Sequence, residues 1–190
     1  VYRAHDPRLE RTVALKVIRP GWASKEMLLR FEYEAELLAR LQHPGIAQVF
    51  EAGTFATDSG VQPYFAMELV SGPPITEYCA TVSLGRMERL ALFVRVCDAL
   101  QHAHQRGVVH RDVKPSNILV DTSTPGQATP KVIDFGVARP VSAGSAAGSM
   151  GTEAGRVIGT LAYMSPEQAR GKPVDKRADI WSFGVVLYEF

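Results

Sequence analysis

The sequence predicts an α+β fold, with a small sheet and one helix in the first part of the chain and mainly helices in the second. Residues 1–70 contain four short segments in which apolar and polar residues alternate, a pattern typical of strands. From about residue 75 onward, apolar residues recur mostly at helical spacing. The Gly- and Pro-containing segment Ser71–Pro74 separates the two patterns, so we expect a boundary between parts 1–70 and 71–190.

The elements of the first part follow from alternation and from the residues that stop it. Strands are predicted at Val1–His5, Thr12–Ile18, Ile46–Phe55 and Tyr64–Leu69. Between the second and third strands, Ser24 is a suitable cap for a helix that runs to about Leu41. Since alternate strand residues share a face, Ala14 and Lys16 are expected to lie together on one side of the second strand.

The second part predicts helices with one short pair of strands between them. Apolar residues at helical spacing from Leu90 to Leu100 indicate a helix that ends at Gly107. Short strands are expected at Ile118–Val120 and Lys131–Ile133, and the Gly-, Ala- and Ser-rich stretch 142–155 predicts a mobile loop. From Asp175 the pattern is apolar on nearly all sides, which predicts a helix in the middle of a core.

Composition excludes several classes of protein. Hydrophobic residues make up 46% of the 190 residues, enough for a packed core. With 21 Lys and Arg against 20 Asp and Glu, bulk charge does not favour a nucleic-acid partner, and none is expected. Two cysteines exclude a disulfide framework, and the apolar stretch near residues 180–190 is shorter than the about 18–20 residues of a membrane span. We expect a cytoplasmic fragment of a longer chain, whose membrane anchoring is left open.

A buried ion pair is predicted between the second strand and the first helix. Lys16 stands alone in an apolar strand, where an edge lysine reaching toward water is the alternative interpretation. Glu34, however, lies in the middle of an apolar helical stripe formed by Met27, Phe31, Leu38 and Leu41. Because an unpaired buried charge costs several kcal/mol, the pattern predicts that Glu34 pairs with Lys16.

A second cluster of polar residues brackets the two short strands. The segment His110–Asn117 precedes them, and Asp134 follows them in an Asp-Phe-Gly sequence. If the strands pair as a hairpin, Asn117 and Asp134 lie at the same end and offer the hard oxygen ligands that Mg²⁺ prefers. Asp112 and Lys114, one short loop away, are suited to accept a proton and to stabilise negative charge. Each motif alone could be a capped turn, but their combination in this order favours a metal–phosphate site.

These motifs together resemble those of the eukaryotic-type Ser/Thr protein kinase catalytic domain. The matching residues are Val13-Ala-Leu-Lys16, the segment His110–Asn117, Asp134-Phe-Gly, and Met164-Ser-Pro-Glu167 in place of Ala-Pro-Glu. The segment 159–168 is most similar to bacterial members, and Lys114 resembles the Ser/Thr-specific branch. The resemblance implies a bilobal protein-kinase-like fold with a small antiparallel-sheet N-lobe and a mainly helical C-lobe. The family's Gly-rich loop and C-terminal helices are not in the sequence, so we expect a fragment truncated at both ends and poorly active by itself.

The resemblance also implies roles for individual residues, with ATP and Mg²⁺ as cofactors. Lys16 would hold the α- and β-phosphates and Glu34 would orient it. Asp112 would accept the proton of a substrate hydroxyl, with Lys114 on the γ-phosphate, while Asn117 and Asp134 would hold the metal ions. The resemblance identifies the segment His110–Asn117 as the catalytic loop, and Asp179 would support this loop from a buried helix. The remaining implied nucleotide contacts are backbone or apolar contacts around the adenine ring: Val1, Ala14, Met67, Glu68, Val70 and Leu119.

Function and regulation follow as expectations. We expect transfer of the γ-phosphate of ATP to Ser or Thr hydroxyls of protein substrates, including another copy of the chain in trans. The alternatives are a pseudokinase scaffold and a small-molecule phosphotransferase. The presence of Lys16, Asp112 and Asp134 disfavours the pseudokinase. The segment 159–168 disfavours the small-molecule phosphotransferase. The arginine at position 111, directly before Asp112, resembles that of kinases activated by phosphorylation of a loop, and this resemblance implies the same regulation here. We expect phosphorylation at Thr152, for which a merely solvated loop residue is the alternative, and we expect Thr160 to bond Asp112 and Lys114.

Overall fold

The computed structural model describes residues 1–8, 10–18, 25–58, 60–135 and 161–189. Gly136, Thr152, Thr160, the 142–155 loop and the Ser24 cap lie outside these ranges. The described elements, numbered in chain order, are β1 (Tyr2–Asp6), β2 (Arg11–Val17), α1 (Lys25–Ala39), β3 (Val49–Thr57), β4 (Gly60–Glu68), α2 (Ile75–Thr81), α3 (Arg86–Gln105), β5 (Ile118–Asp121), β6 (Thr129–Val132), α4 (Pro166–Ala169) and α5 (Lys176–Tyr188).

The first part forms an antiparallel sheet in the order β1-β2-β4-β3, which confirms the predicted four strands. In the register of β2 and β4, Ala14 lies opposite Met67 and Lys16 lies opposite Phe65. Helix α1 packs on this sheet through its apolar stripe, with the rings of Phe31 and Phe65 4.6 Å apart. Lys16 of β2 and Leu38 of α1 line the same cavity between the sheet and this helix.

The predicted hairpin is also confirmed, since β5 and β6 pair as antiparallel strands with Ile118 opposite Val132. The loop that follows α1 is attached to the outer edge of β6. There, the N–H of Ala47 donates to the carbonyl of Val132 at 3.0 Å, and the N–H of Val132 donates to that of Gly45 at 2.8 Å. These bonds explain why β3 begins at Val49 and not at the predicted Ile46, and they join the sheet part to the helical part.

The helical part is organised around α3 and α5. Phe93 of α3 and Phe183 of α5 are stacked with ring centroids 3.8 Å apart, and Val186 is fully buried on the same face of α5. The expectation that α5 is buried on nearly all sides is wrong for the described residues. Ile180 is 61% exposed and Trp181 is 50% exposed, so α5 buries only the face that packs on α3 and the catalytic loop.

Candidate active site

The first group of functional side chains lies in the loop between α3 and β5. The ammonium nitrogen of Lys114 is 2.9 Å from Asp112 Oδ2. Asn117 ends a 3₁₀ turn (Pro115–Asn117) and is buried; its Nδ2 donates to the backbone oxygen of Asp112 at 2.8 Å and to Asp112 Oδ2 at 3.1 Å. The three predicted side chains therefore form one cluster, in which a cation and an amide hold the same carboxylate.

The second group, Lys16 and Asp134, lies at the same end of the hairpin as Asn117. Lys16 Nζ lies 2.9 Å from Asp134 Oδ1, and both side chains are about a quarter exposed. The N–H of Ile133 donates to the backbone oxygen of Asn117 at 2.9 Å, which fixes Asp134 and Asn117 at the same end of the β5–β6 hairpin, as predicted. Asp134 adopts a left-handed backbone conformation with φ of 59°, unusual for a residue other than glycine.

The donor set at this end of the hairpin fits Mg²⁺. It consists of the Asp134 carboxylate and the Asn117 amide, whose nitrogen is engaged by Asp112 so that its oxygen is directed away from that residue. Among the described ranges, no three His, Cys, Asp or Glu side chains converge as a complete metal cage. Mg²⁺ commonly uses one or two protein ligands and takes the others from phosphates and water, so two hard oxygen donors are a sufficient set.

Buried polar contacts from α5 hold the backbone of the catalytic loop. Asp179 is 1% exposed, and its Oδ2 accepts from the N–H of His110 at 2.8 Å while its Oδ1 accepts from the N–H of Arg111 at 2.7 Å. His104 Nε2, on α3, lies 2.7 Å from the same Oδ2. The support role that the resemblance implies for Asp179 thus corresponds to three buried hydrogen bonds, and His104 is a partner that the sequence did not indicate.

His110 connects the catalytic loop to the Asp134 segment. Its ring is fully buried, Nε2 lies 2.9 Å from the carbonyl oxygen of Ile133, and Nδ1 lies 3.2 Å from the N–H of Asp112. A carbonyl on one side and an N–H donor on the other select the neutral ring with its proton on Nε2. Burial, the main cause, lowers the pKa of His110, in agreement with this neutral form. The ring also packs against Phe135, with centroids 4.7 Å apart.

The cleft wall contains an ion pair that the sequence did not indicate. Lys131 Nζ on β6 lies 2.6 Å from Glu68 Oε1 at the end of β4, and Glu68 Oε2 accepts from the N–H of Gln48 at 3.2 Å. The side chain of Glu68 therefore binds protein groups, its N–H donates to the carbonyl of Gln48 at 2.8 Å, and the nucleotide contact that the resemblance implies for this residue stays a prediction. The sequence feature that could have predicted this pair is Lys131, the one cation in the otherwise uncharged strand β6.

The predicted adenine contacts occupy different positions around the cleft. Ala14 and Met67 are buried neighbours on β2 and β4, while Val1 is 75% exposed just before β1. Val70 is buried, and Leu119 of β5 bridges to Pro74, so the segment after β4 runs beside the hairpin. Behind Lys16 and Asp134 an apolar cavity extends between α1 and the sheet, lined by Leu38, Leu41, Ile46, Val49, Phe65 and Met67, among others.

Two predicted contacts are not decided by this geometry. Glu34 is half-buried on α1, but the carboxylate that the structure places at the ammonium of Lys16 is that of Asp134, so the Lys16–Glu34 pair stays a prediction. The contacts of Thr160 with Asp112 and Lys114, and the role of Thr152, fall outside the described residues. A contact that the sequence analysis missed links the catalytic loop to α4, where Gln168 Nε2 donates to the carbonyl of Arg111 at 2.8 Å.

Comparisons with known proteins agree with this arrangement. A family model described as "Protein kinase domain" matches residues 1–190. The chain is 40% identical over 191 residues to Serine/threonine-protein kinase PknB of Mycobacterium leprae, covering all of this chain and 29% of that protein. It is 41% identical to a probable serine/threonine-protein kinase, SCO3848, of Streptomyces coelicolor, covering all of this chain and 27% of that protein. The chain therefore spans less than a third of the length of these curated relatives.

The fold is similar to that of solved kinase domains. A crystal structure of the Mycobacterium tuberculosis PknI kinase domain superposes with a TM-score of 0.70 at 33% sequence identity. The match covers 97% of this chain and 65% of that chain. A crystal structure of a mutant form of the same domain gives a TM-score of 0.69 at the same identity.

Proposed function

This chain belongs to the protein kinase family, and we propose that it is the catalytic part of a Ser/Thr protein kinase that transfers the γ-phosphate of ATP to protein hydroxyl groups. The observation that carries the proposal is the Asp112 carboxylate, fixed by Lys114 and Asn117 beside the Lys16–Asp134 pair. Phosphoryl transfer requires a proton acceptor, cations for the phosphates and oxygen ligands for a metal, and this cleft supplies all of them.

In the proposed reaction, the oxygen of a Ser or Thr hydroxyl forms a bond to the γ-phosphorus while the bond to the β,γ-bridging oxygen breaks and ADP leaves. The hydroxyl proton passes to the Asp112 carboxylate. Lys114, 2.9 Å from that carboxylate, is positioned to stabilise negative charge on the transferred group. Lys16 would bind the α- and β-phosphates, for which it exchanges its contact with Asp134.

Asn117 and Asp134 would hold Mg²⁺, since both lie at the same end of the hairpin and offer hard oxygen donors. When bound, the ion would supply positive charge that neutralises part of the charge of the phosphates. The family generally uses ATP and Mg²⁺, and we propose the same pair here. We also propose the predicted Lys16–Glu34 pair for this site, in which Glu34 would orient the Lys16 ammonium toward the phosphates.

Substitution of Asp112 by Asn tests the proposal. Asparagine keeps the size of the side chain but cannot accept the hydroxyl proton, so kcat should fall by roughly 10²–10⁴-fold with little change in ATP affinity. The matched control is Asp98→Asn, because that carboxylate is 76% exposed on α3 and contacts His43. Turnover is measured with Mg-ATP and a Ser/Thr peptide library in the native protein that contains this chain. Equal turnover of wild type and Asp112→Asn contradicts the assignment.

The substrate class is part of the same proposal. The family implies protein substrates, and the PknB relatives are named serine/threonine-protein kinases, so we propose Ser and Thr acceptors, including those of a second copy of the chain in trans. Parallel peptide libraries with Ser, Thr or Tyr as the only acceptor test this choice. Labelling confined to Tyr peptides would contradict it.

We extend the proposal to regulation at Thr152. Arg111 directly precedes Asp112, and its N–H is fixed by Asp179, so phosphate bound by its guanidinium would act on the catalytic loop itself. A phosphate adds about −1.5 to −2 charges and three acceptor oxygens that arginine binds well. Mass spectrometry after incubation with Mg-ATP should find phosphate on Thr152, and Thr152→Ala should lower kcat. An unmodified Thr152, or full activity of Thr152→Ala, contradicts this site.

The proposal places the site in the cytoplasm, where ATP is available. In the ranges that the structure covers, no helix combines the length and the apolar character needed to cross a bilayer.

A further inference from the structure

Gln168 connects two segments of the active site that lie far apart in the sequence. It belongs to α4, directly after the segment 161–165. Its Nε2 donates to the carbonyl oxygen of Arg111 at 2.8 Å, across 57 residues of sequence. Its Oε1 accepts from the N–H of Ser165 at 3.2 Å, as in a helix-capping box. One side-chain amide therefore contacts the catalytic loop with its nitrogen and the start of α4 with its oxygen.

The carbonyl that Gln168 binds belongs to the peptide group that carries Asp112. The N–H of this same peptide group, that of Asp112, lies 3.2 Å from His110 Nδ1. The preceding N–H, that of Arg111, donates to Asp179. Arg111 has φ of 65°, in the left-handed region that non-glycine residues rarely adopt, so this backbone is held by its contacts and not by local preference. Gln168 supplies the contact on the carbonyl side.

We propose that Gln168 is a positioning residue that fixes the direction of the Asp112 carboxylate by holding the Arg111–Asp112 peptide. The inference rests on the proposed function, in which Asp112 accepts the substrate proton. Rotation of that peptide would turn the Cα–Cβ bond of Asp112 away from its present contacts with Lys114 and Asn117. Gln168 thereby couples the start of α4 to the proton acceptor.

Helix capping is the competing explanation, and the two roles require different atoms. A capping box needs only a side-chain acceptor at this position, which Glu supplies as well as Gln. The contact with Arg111 needs a donor, because its partner is a carbonyl oxygen. Gln168→Glu therefore retains the cap and removes the contact with Arg111, whereas Ser165→Ala removes the hydroxyl of the cap and retains the Gln168 side chain.

The experiment compares these variants in the native protein that contains this chain, by steady-state kinetics with Mg-ATP and a Ser/Thr peptide library. We expect Gln168→Glu to lower kcat by about 10–100-fold, because small displacements of a catalytic group have effects of this size. The KM for ATP should stay within about twofold of wild type, since the side-chain hydrogen bonds of Gln168 within the described residues go to Ser165 and Arg111, neither of which is assigned to the nucleotide. Ser165→Ala should retain most of the wild-type kcat.

Each result leads to a decision. If wild type transfers no phosphate, the proposed function fails; if wild type is active and Gln168→Glu is equally active, the positioning role alone is overturned. A loss of kcat in Ser165→Ala as large as that in Gln168→Glu would assign the effect to capping and would also overturn it. Thermal unfolding is recorded for every variant. If Gln168→Glu is unfolded at the assay temperature, the kcat of the uncharged variant Gln168→Met is compared with those of wild type and Ser165→Ala instead.

Discussion

Removal of the Asp179 carboxylate should lower the free energy of unfolding more than removal of any other single carboxylate discussed above. Its side chain is 1% exposed and accepts from the backbone N–H of His110, the backbone N–H of Arg111 and the ring of His104, at 2.7–2.8 Å. Asp179→Ala leaves all three donors without their acceptor. Because the two N–H groups belong to the catalytic loop, the same change disturbs the backbone next to Asp112.

The magnitude follows from the number of donors. A buried donor without a partner costs about 1–3 kcal/mol, so three donors give roughly 3–9 kcal/mol before relaxation. This is comparable with the whole free energy of unfolding of an ordinary domain, about 5–15 kcal/mol. Asp179→Asn keeps one oxygen acceptor but points an N–H₂ group at other donors, so a loss of about 2–4 kcal/mol is expected.

Urea unfolding of the native protein, followed by far-UV circular dichroism, measures both losses. The matched control is Asp175→Asn on the same helix, whose carboxylate is 55% exposed and caps α5 through the N–H of Arg177. The control should cost about 0–1 kcal/mol, because Asn caps a helix about as well as Asp and the exposed ion pair with Arg177 contributes little. A loss of less than about 1 kcal/mol in Asp179→Ala, or one equal to that of the control, would refute the free energy assigned to these three buried hydrogen bonds.

Two further predictions concern other parts of the chain. A Cβ at Gly72 would overlap the backbone carbonyl of Val120, so Gly72→Ala should displace the segment beside the hairpin and lower the melting temperature. The control is Gly184→Ala, which has open space at its Cβ and should be neutral or stabilising. Equal melting temperatures of the two variants would contradict this prediction. Burial and the bond to Glu189 raise the pKa of Tyr163 to about 12, so the folded state binds this proton more tightly than the unfolded state. Stability should therefore fall as the pH rises from about 10 to about 12, and Tyr163→Phe should reduce that loss in pH-dependent unfolding experiments.

Much of the fold and the chemistry could be predicted because it is encoded locally. Alternation located all four strands of the sheet, and the polar residues beside the short strands located Asn117 and Asp134 at one end of a confirmed hairpin. Element ends were less predictable where a tertiary contact decides them. Strand β3 starts at Val49 because the preceding residues bond to β6, which is remote in sequence and which no local pattern encodes.

The contacts that hold the site could not be predicted for the same reason. Asp179 and His104 are 75 residues apart, and Gln168 and Arg111 are 57 residues apart. The periodicity of apolar residues predicts which residues are buried, and a buried charge is expected to have a partner. Neither argument identifies which residue that partner is. Lys16 illustrates the point: the sequence did not indicate its contact with Asp134, and the predicted pair of Lys16 with Glu34 stays a prediction.

The geometry of Asp112 thus depends on helices that are remote in sequence. Its own segment, residues 110–117, contains no regular structure except one 3₁₀ turn, and Arg111 adopts a backbone conformation that local preferences disfavour. The contacts that compensate come from α5 through Asp179 and from α4 through Gln168. Because both helices must dock before these bonds form, an Asp112 carboxylate in its present orientation requires the packed helical part, and the motif in isolation would not hold it. The candidate site is therefore a property of the tertiary fold, although the residues proposed to perform the chemistry stand out in the sequence alone.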